Sequence, residues 1–382
     1  MDWPLGMGYL RKARGALLEE PRKIVIRAAN WIGDAVLSLP ALEALRARFP
    51  DAEIVVVAKP WVCDVYQRHS AIDRQITYES QGKHSGASGF AKLVGQLREE
   101  RFDAAILFQN AFQAAWMAWR AGIPIRIGYD RDGRARLLTA ALEAPAPAAC
   151  GHQAGYYLQL LFRAGVISRP EPPRPPEEIR LTVQPDEKSW AIRRLESLGL
   201  QGPRFLIAIV PGASFGPAKR WPAARFAELA DRLIEALNAD VLILGSEDER
   251  GLANGVAQEM EHVPVIVAGE TTLRQAMALL ERCRLVVTND SGPMHVASAL
   301  ALPVVALFGS TDAAATGPLG PYSRVVQNRV ACSPCGFRRC PIDFRCMEGL
   351  SVATVYRAAL ELVKQLGVTH DSPARPRQKI SR

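Results

Sequence analysis

The chain has 382 residues, 48% of them hydrophobic, with 47 lysines and arginines against 39 acidic side chains. That length suits two domains, and the apolar share is too high for a disordered chain. Apolar runs fall short of the roughly 18 residues of a membrane span, the amino terminus lacks an apolar signal segment, and the odd set of seven cysteines is no secreted disulfide framework.

A reduced cytoplasmic protein is therefore expected. The net charge of +8 leaves nucleic acid, a membrane surface and an anionic substrate open as partners. Along the chain the charge balances over residues 168–369, and the excess sits in residues 1–167 and in the tail.

In chain order, residues 1–22 are a basic extension. Leu10, Leu17 and Leu18 alternate there with Arg11, Lys12 and Arg14, so it reads either as a short interfacial helix or as a solvated segment. Residues 23–167 make a first domain. It opens on the strand-like run KIVIRAAN (Lys23–Asn30), a Gly33-Asp34 turn and an amphipathic stretch from Ala35 to Leu45. The runs EIVVVA (Glu53–Ala58) and AAILF (Ala104–Phe108) are further strands. Trp116 and Trp119, three apart, are expected on a packed helix face.

Residues 168–180 include SRPEPPRPPEE, with five prolines in eleven residues, a stiff linker and the natural domain boundary. Residues 181–369 repeat the alternation. Strands are expected at Phe205–Val210, Asp240–Gly245, Val263–Val267, Arg284–Asn289 and Pro303–Gly309, with a helix over Ala223–Leu237. Residues 370–382 are a disordered basic tail. Near-continuous apolar strands between helices imply an α/β fold, with two doubly wound, Rossmann-like parallel sheets whose carboxyl-end crevices face a cleft.

Three segments could carry chemistry. In PGASFGPAKRWP (Pro211–Pro222), Gly212, Ala213, Ser214 and Gly216 let backbone N–H groups approach an anion, and Lys219 and Arg220 add charge. The alternative is an ordinary turn, since neither GxxxxGK[ST] nor GxGxxG is present. In TNDSGPMH (Thr288–His295), Asp290 and Ser291 suit a helix cap, Gly292 permits close approach, and His295 lies in the first turn. That too is a phosphate-receptive helix start, or a cap with a packed histidine. Glu247, just after a strand, stands where an acidic residue takes a ribose hydroxyl. Asp34 at its strand-to-helix turn is either a general base or a cap.

Together the segments NWIGDAVLSLPALEALRARFP, RIGYDRDGRARLLT, PGASFGPAKRWP, NDSGPMHVASALALPVVALFGSTD and CSPCGFRRCPIDFRCM resemble the ADP-heptose lipopolysaccharide heptosyltransferases of glycosyltransferase family 9, most closely their type II form. The resemblance runs from about residue 23 to residue 360 and implies a GT-B fold. It implies an inverting transfer of L-glycero-D-manno-heptose from ADP-heptose to the lipopolysaccharide inner core, as the second heptose. Asp34 matches the catalytic base and Lys219 the lysine on the leaving diphosphate. Ser214 falls in the phosphate loop, Glu247 on the ribose, and Asp290, Ser291, Gly292 and His295 on the heptose and diphosphate. Gln109 and Asn110 are candidates for acceptor hydroxyls.

Cofactors are not required by that reading. The expected partners are ADP-heptose, an anionic lipid-linked core and the cytoplasmic face of the inner membrane, contacted peripherally, with no role for nucleic acid. A type I heptosyltransferase and a GT-B nucleotide-sugar epimerase are the alternatives. Separately, Cys332, Cys335, Cys340 and Cys346 are spaced for a tetrahedral zinc site, for plain reduced thiols, or for disulfides.

Overall fold

The computed structural model describes residues 20–168, 176–200 and 205–367, without the side chains of residues 147 and 148. The extension up to residue 19, the run 169–175 of the proline-rich segment and the tail 370–382 lie outside the described residues. The chain divides into two compact units, residues 1–176 and 177–382.

In the first unit β1 (Lys23–Arg27), β2 (Glu53–Ala58), β3 (Arg74–Thr77), β4 (Ala104–Leu107), β5 (Ile125–Tyr129) and β6 (Ala140–Leu142) form one sheet in the order β3-β2-β1-β4-β5-β6. In the second, β7 (Phe205–Val210), β8 (Ala239–Ile243), β9 (Val265–Ile266), β10 (Leu285–Asn289), β11 (Val304–Phe308) and β12 (Ser323–Gln327) lie in the order β12-β11-β10-β7-β8-β9. Every pairing is parallel. Counted from its own first strand, each sheet runs 3-2-1-4-5-6, the dinucleotide-fold order.

The inner strands β4, β7, β10 and β11 are buried throughout, as a sheet covered on both faces requires. Helices supply the cover. In Ala223–Leu237 the buried Phe226, Leu229, Ala230, Leu233 and Leu237 recur at helical spacing, and Asn238, in the left-handed region at φ 46°, ends it. The expected inner strands are present. The sequence reading missed β3, β6 and β12, which are sheet edges, and β5. Short edge strands carry exposed positions and so show no apolar run.

Strand order reverses between β1 and β4 and again between β7 and β10. The crevice at the carboxyl end of such a reversal is where doubly wound sheets bind ligands. The loops at these two places are residues 28–34 with 108–111, and residues 211–222 with 290–295. Chain topology thus gathers the sequence candidates.

One packing expectation fails. Trp119 does not face the core from helix Phe112–Arg120, and Trp116 reaches only its rim, stacked on the buried Phe90. Ala114, Ala115, Met117 and Ala118 face the core, and both indoles are exposed. Small residues pack closest to the sheet, so the large rings are turned outward.

Candidate active site

In the second unit the two loops are joined by one side chain. The buried Asn289, last residue of β10, accepts from the Trp221 N–H at 3.1 Å and donates to the Pro211 carbonyl at 2.7 Å. It thereby closes both ends of the Pro211–Trp221 loop against β10. Within that frame Lys219 Nζ lies 2.5 Å from Asp290 Oδ2, and Asp290 is 4% exposed. Thr311 donates a second bond to the same oxygen, also at 2.5 Å. A buried carboxylate held by a lysine and a hydroxyl fixes the ammonium group, which sits 4.8 Å from the Phe215 ring centroid.

Ser214 is exposed on this loop. Ser291 is the N-cap of helix Gly292–Ala299 with extended backbone, and its hydroxyl lies 3.3 Å from that of Thr288. Gly292 and Pro293 open the helix, and His295 is buried in its first turn. The helix start and the loop lie at the same carboxyl end of the sheet, both suited to phosphate oxygens.

Glu247 is turned outward, with its carboxylate 70% exposed and 3.1 Å from Arg250. The acidic side chain that reaches the loop is Glu249. Its Oε2 accepts from the Ser246 N–H and hydroxyl at 3.0 Å, and a Cβ placed on Gly212 would run into its carboxylate. Gly212 is therefore needed for the close approach of this acid to the loop.

The cysteine-bearing segment braces the same loop. Cys335 and Gly336 donate backbone bonds to the Ser310 carbonyl at 3.0 and 2.7 Å. Ala218 donates to the Arg338 carbonyl at 3.1 Å, and Arg338 Nε donates to the Phe215 carbonyl at 2.7 Å. Cys332, Cys335, Cys340 and Cys346 are free thiols graded from exposed to buried. Among the described residues no group of three or more His, Cys, Asp or Glu is arranged to hold a metal ion, so the zinc reading of these four has no support. Backbone bonds tie the segment down instead. The N–H groups of Ile342 and Phe344 hold the Cys340 thiol below its ordinary range, and burial pushes Cys346 up.

In the first unit Asp34 is half-buried in the first turn of helix Ile32–Arg48. The cap position belongs to Trp31, and Asp34 lies three residues inside, where the helix dipole favours an anion. Buried Tyr66 and Tyr157 have phenols raised by desolvation, and the Asp34 charge raises both further. Asn110 is engaged by its own fold: it donates to Tyr156 Oη at 2.9 Å and accepts from Arg134 Nη2 at 3.0 Å. Arg134, fully buried, also bonds the carbonyls of Gln109 and Tyr129 and so staples the ends of β4 and β5.

Two further cations went unread in the sequence. Arg27, at the end of β1, donates to the Ala28 carbonyl at 2.5 Å and to Asn30 Oδ1 at 2.8 Å. Burial lowers its pKa to about 10. Lys59, just past β2, donates to Ser80 Oγ with its ammonium 3.8 Å from the Tyr78 ring centroid. Burial first, and then Arg27, lower it to about 8. No carboxylate contributes to either shift. Exposed Trp31 and Trp61 stand at the same rim, and Trp61 Nε1 donates to the Asn30 carbonyl at 2.8 Å.

Two dinucleotide-ordered parallel sheets with flanking helices define an α/β fold of the GT-B type. The model for glycosyltransferase family 9 (heptosyltransferase) matches residues 90–344, and the chain belongs to that family. It is 33% identical over 310 residues to lipopolysaccharide heptosyltransferase 2 of Escherichia coli strain K12, covering 80% of this chain and 88% of the relative. The Salmonella typhimurium strain LT2 enzyme of the same name is 34% identical over 311 residues, with the same coverage. The solved structure of E. coli ADP-heptose LPS heptosyltransferase II superposes with a TM-score of 0.76 at 30% identity, covering 90% of this chain and 99% of that one.

Proposed function

We propose that this enzyme transfers L-glycero-D-manno-heptose, with inversion, from ADP-heptose to the inner core of lipopolysaccharide, adding the second heptose. The observation that carries the reading is the Lys219–Asp290 pair at the β7/β10 reversal, inside loops suited to a diphosphate. Family membership and the type 2 relatives supply the sugar and the acceptor.

In this mechanism the acceptor oxygen attacks the anomeric carbon, and the bond from that carbon to the diphosphate oxygen breaks. The bonding pair leaves with ADP, and Lys219 with the backbone donors of residues 212–216 and of the Gly292 helix start stabilises the growing charge. Asp34 takes the acceptor proton. Ser214 and Ser291 bond phosphate oxygens, Gly292 lets them approach, and Asp290 and His295 position Lys219 and the sugar. An acidic residue of the 247–249 turn takes the ribose hydroxyls; Glu249 is nearer the loop than Glu247.

Residues 23–167 are the acceptor-binding domain and 181–369 the donor-binding domain, joined by the linker 168–180. The donor domain is charge-balanced and grips ADP through local groups, and the positive excess elsewhere meets an anionic lipid-linked core at the cytoplasmic face of the inner membrane. No helix among the described residues is long and apolar enough to cross a membrane. The test is incubation with ADP-heptose and a core acceptor bearing one heptose, following ADP release and product mass. ADP formed in step with a product one heptose heavier than the acceptor is expected; ADP at background would overturn the proposal.

A further inference from the structure

Helix Phe112–Arg120, which follows β4, is inverted relative to an ordinary surface helix. Its sheet side is small, and its outer side carries Phe112, Trp116 and Trp119, which are 48, 38 and 47% exposed. The spacing of four and then three residues sets the rings in one row along the helix. Solvent-facing stripes are normally polar, so an ordered aromatic row in water asks for a partner. Trp116 is fixed by stacking on Phe90 of the neighbouring helix Gly86–Glu99, with centroids 4.8 Å apart and planes at 13°.

Exposed cations lie on the same two helices and just past the end of Gly86–Glu99. Lys92, Arg98, Arg101 and Arg120 are all exposed, and Arg98 Nη2 donates to the Arg120 carbonyl at 2.7 Å, tying the two helices together. Glu99 is the one acid on these two helices, and the adjacent Glu100 is already paired with Lys23 and Arg74.

We propose that this face docks the protein onto an anionic phospholipid bilayer, with the three rings at headgroup depth and the four cations over lipid phosphates. Tryptophan and phenylalanine edged by Lys and Arg is the pattern of an interfacial contact. Charge decides against a second copy of the chain. A two-fold interface through this face would set four cations against four cations, whereas a bilayer supplies the opposite sign. The inference deepens the proposed function, which requires a lipid-linked acceptor, and it names the element that meets the lipid.

The experiment uses the full chain, without donor or acceptor, and vesicles of phosphatidylcholine alone or with about one third phosphatidylglycerol, read by co-sedimentation and tryptophan emission. The wild type is expected to bind the anionic vesicles, with a blue-shifted emission that high salt reverses, and to leave neutral vesicles unbound. Phe112→Ser/Trp119→Ser leaves the Trp116 stack intact and is expected to weaken binding by about tenfold or more. Lys92→Glu/Arg120→Glu is expected to do the same through charge alone, with unchanged thermal melting and ADP affinity. Wild-type binding in both double variants would overturn the proposal. So would a concentration-dependent dimer that Phe112→Ser/Trp119→Ser dissociates, in a protein indifferent to vesicles. Because binding is read without turnover, vesicle binding with no ADP release counts against the heptose reading alone.

Discussion

The two sheets share one strand order, yet their reversal points are electrostatic opposites. At β7/β10 the cation has its own carboxylate: Lys219 is held by Asp290, Asp290 by Thr311, and the loop by Asn289 and the Arg338 brace. At β1/β4 the nearby cations Arg27 and Lys59 rest on carbonyls, a hydroxyl and a phenol ring, and among the described residues no carboxylate contributes to the shift of either. A scaffold that binds a defined diphosphate gains from groups fixed in advance at the phosphate positions. One that meets a large anionic acceptor can leave its positive charge unspent. Under the proposed function, the same topology would serve two tasks by changing how its cations are compensated.

Lys219→Ala should break the first arrangement hardest. Turnover is expected to fall by about a thousandfold, in the range seen when one transition-state donor is lost. Stability should also fall, since Asp290 is left buried without its cation. Adding Asp290→Asn should recover the melting temperature without recovering turnover, and a double-mutant cycle in thermal melting and ADP release checks both halves. Asp34→Ala tests the other crevice. Transfer is expected to drop by about a hundredfold or more while ADP binds as before in calorimetry. A parallel loss of ADP affinity would erase the proposed division of labour.

Asn289→Ala removes the bridge and leaves a buried N–H and a buried carbonyl without partners. A loss of about 2–4 kcal/mol in urea unfolding is expected, with a rise in the KM for the donor. The smallest effect concerns Lys59. Its folded pKa of about 8 lies below its ordinary 10.5, so between those values the unfolded chain binds a proton that the folded one lacks. Stability from this group is therefore lowest below pH 8 and is regained as pH rises toward 10.5. Lys59→Met should flatten that part of the profile, read from urea midpoints at several pH values.

Much of this was legible in the sequence because burial on both faces writes itself as apolar runs. The inner strands and the helix Ala223–Leu237 were visible for that reason, and the edges β3, β6 and β12 were not. The site loops were visible through glycine, proline and acid at strand ends. Partnerships across the chain left no local trace: Asn289 with Pro211, Arg134 with Gln109, and Arg338 with Phe215 are distant in sequence. In the Glu247–Glu249 turn the sequence offers three acids in a row, and the turn geometry selects which one faces Gly212. For Trp116 and Trp119, helical spacing is the same whether a stripe faces in or out. The residues around them decide, because three alanines with Met117 occupy the buried side of the helix.

The shared strand order has a further consequence, for synthesis. In each unit the strand made first ends up in the middle: Ile24 pairs with Ile54 on one side and Ala104 on the other, and Ile207 with Leu242's neighbour Val241 and with Leu285. One edge of the central strand therefore stays bare on the ribosome until the unit's fourth strand emerges, and bare apolar edges are where nascent chains stick to one another. A chain that stops short of Ala104 or Leu285 presents that edge permanently, so each unit becomes safe from its own core only once its fourth strand has arrived.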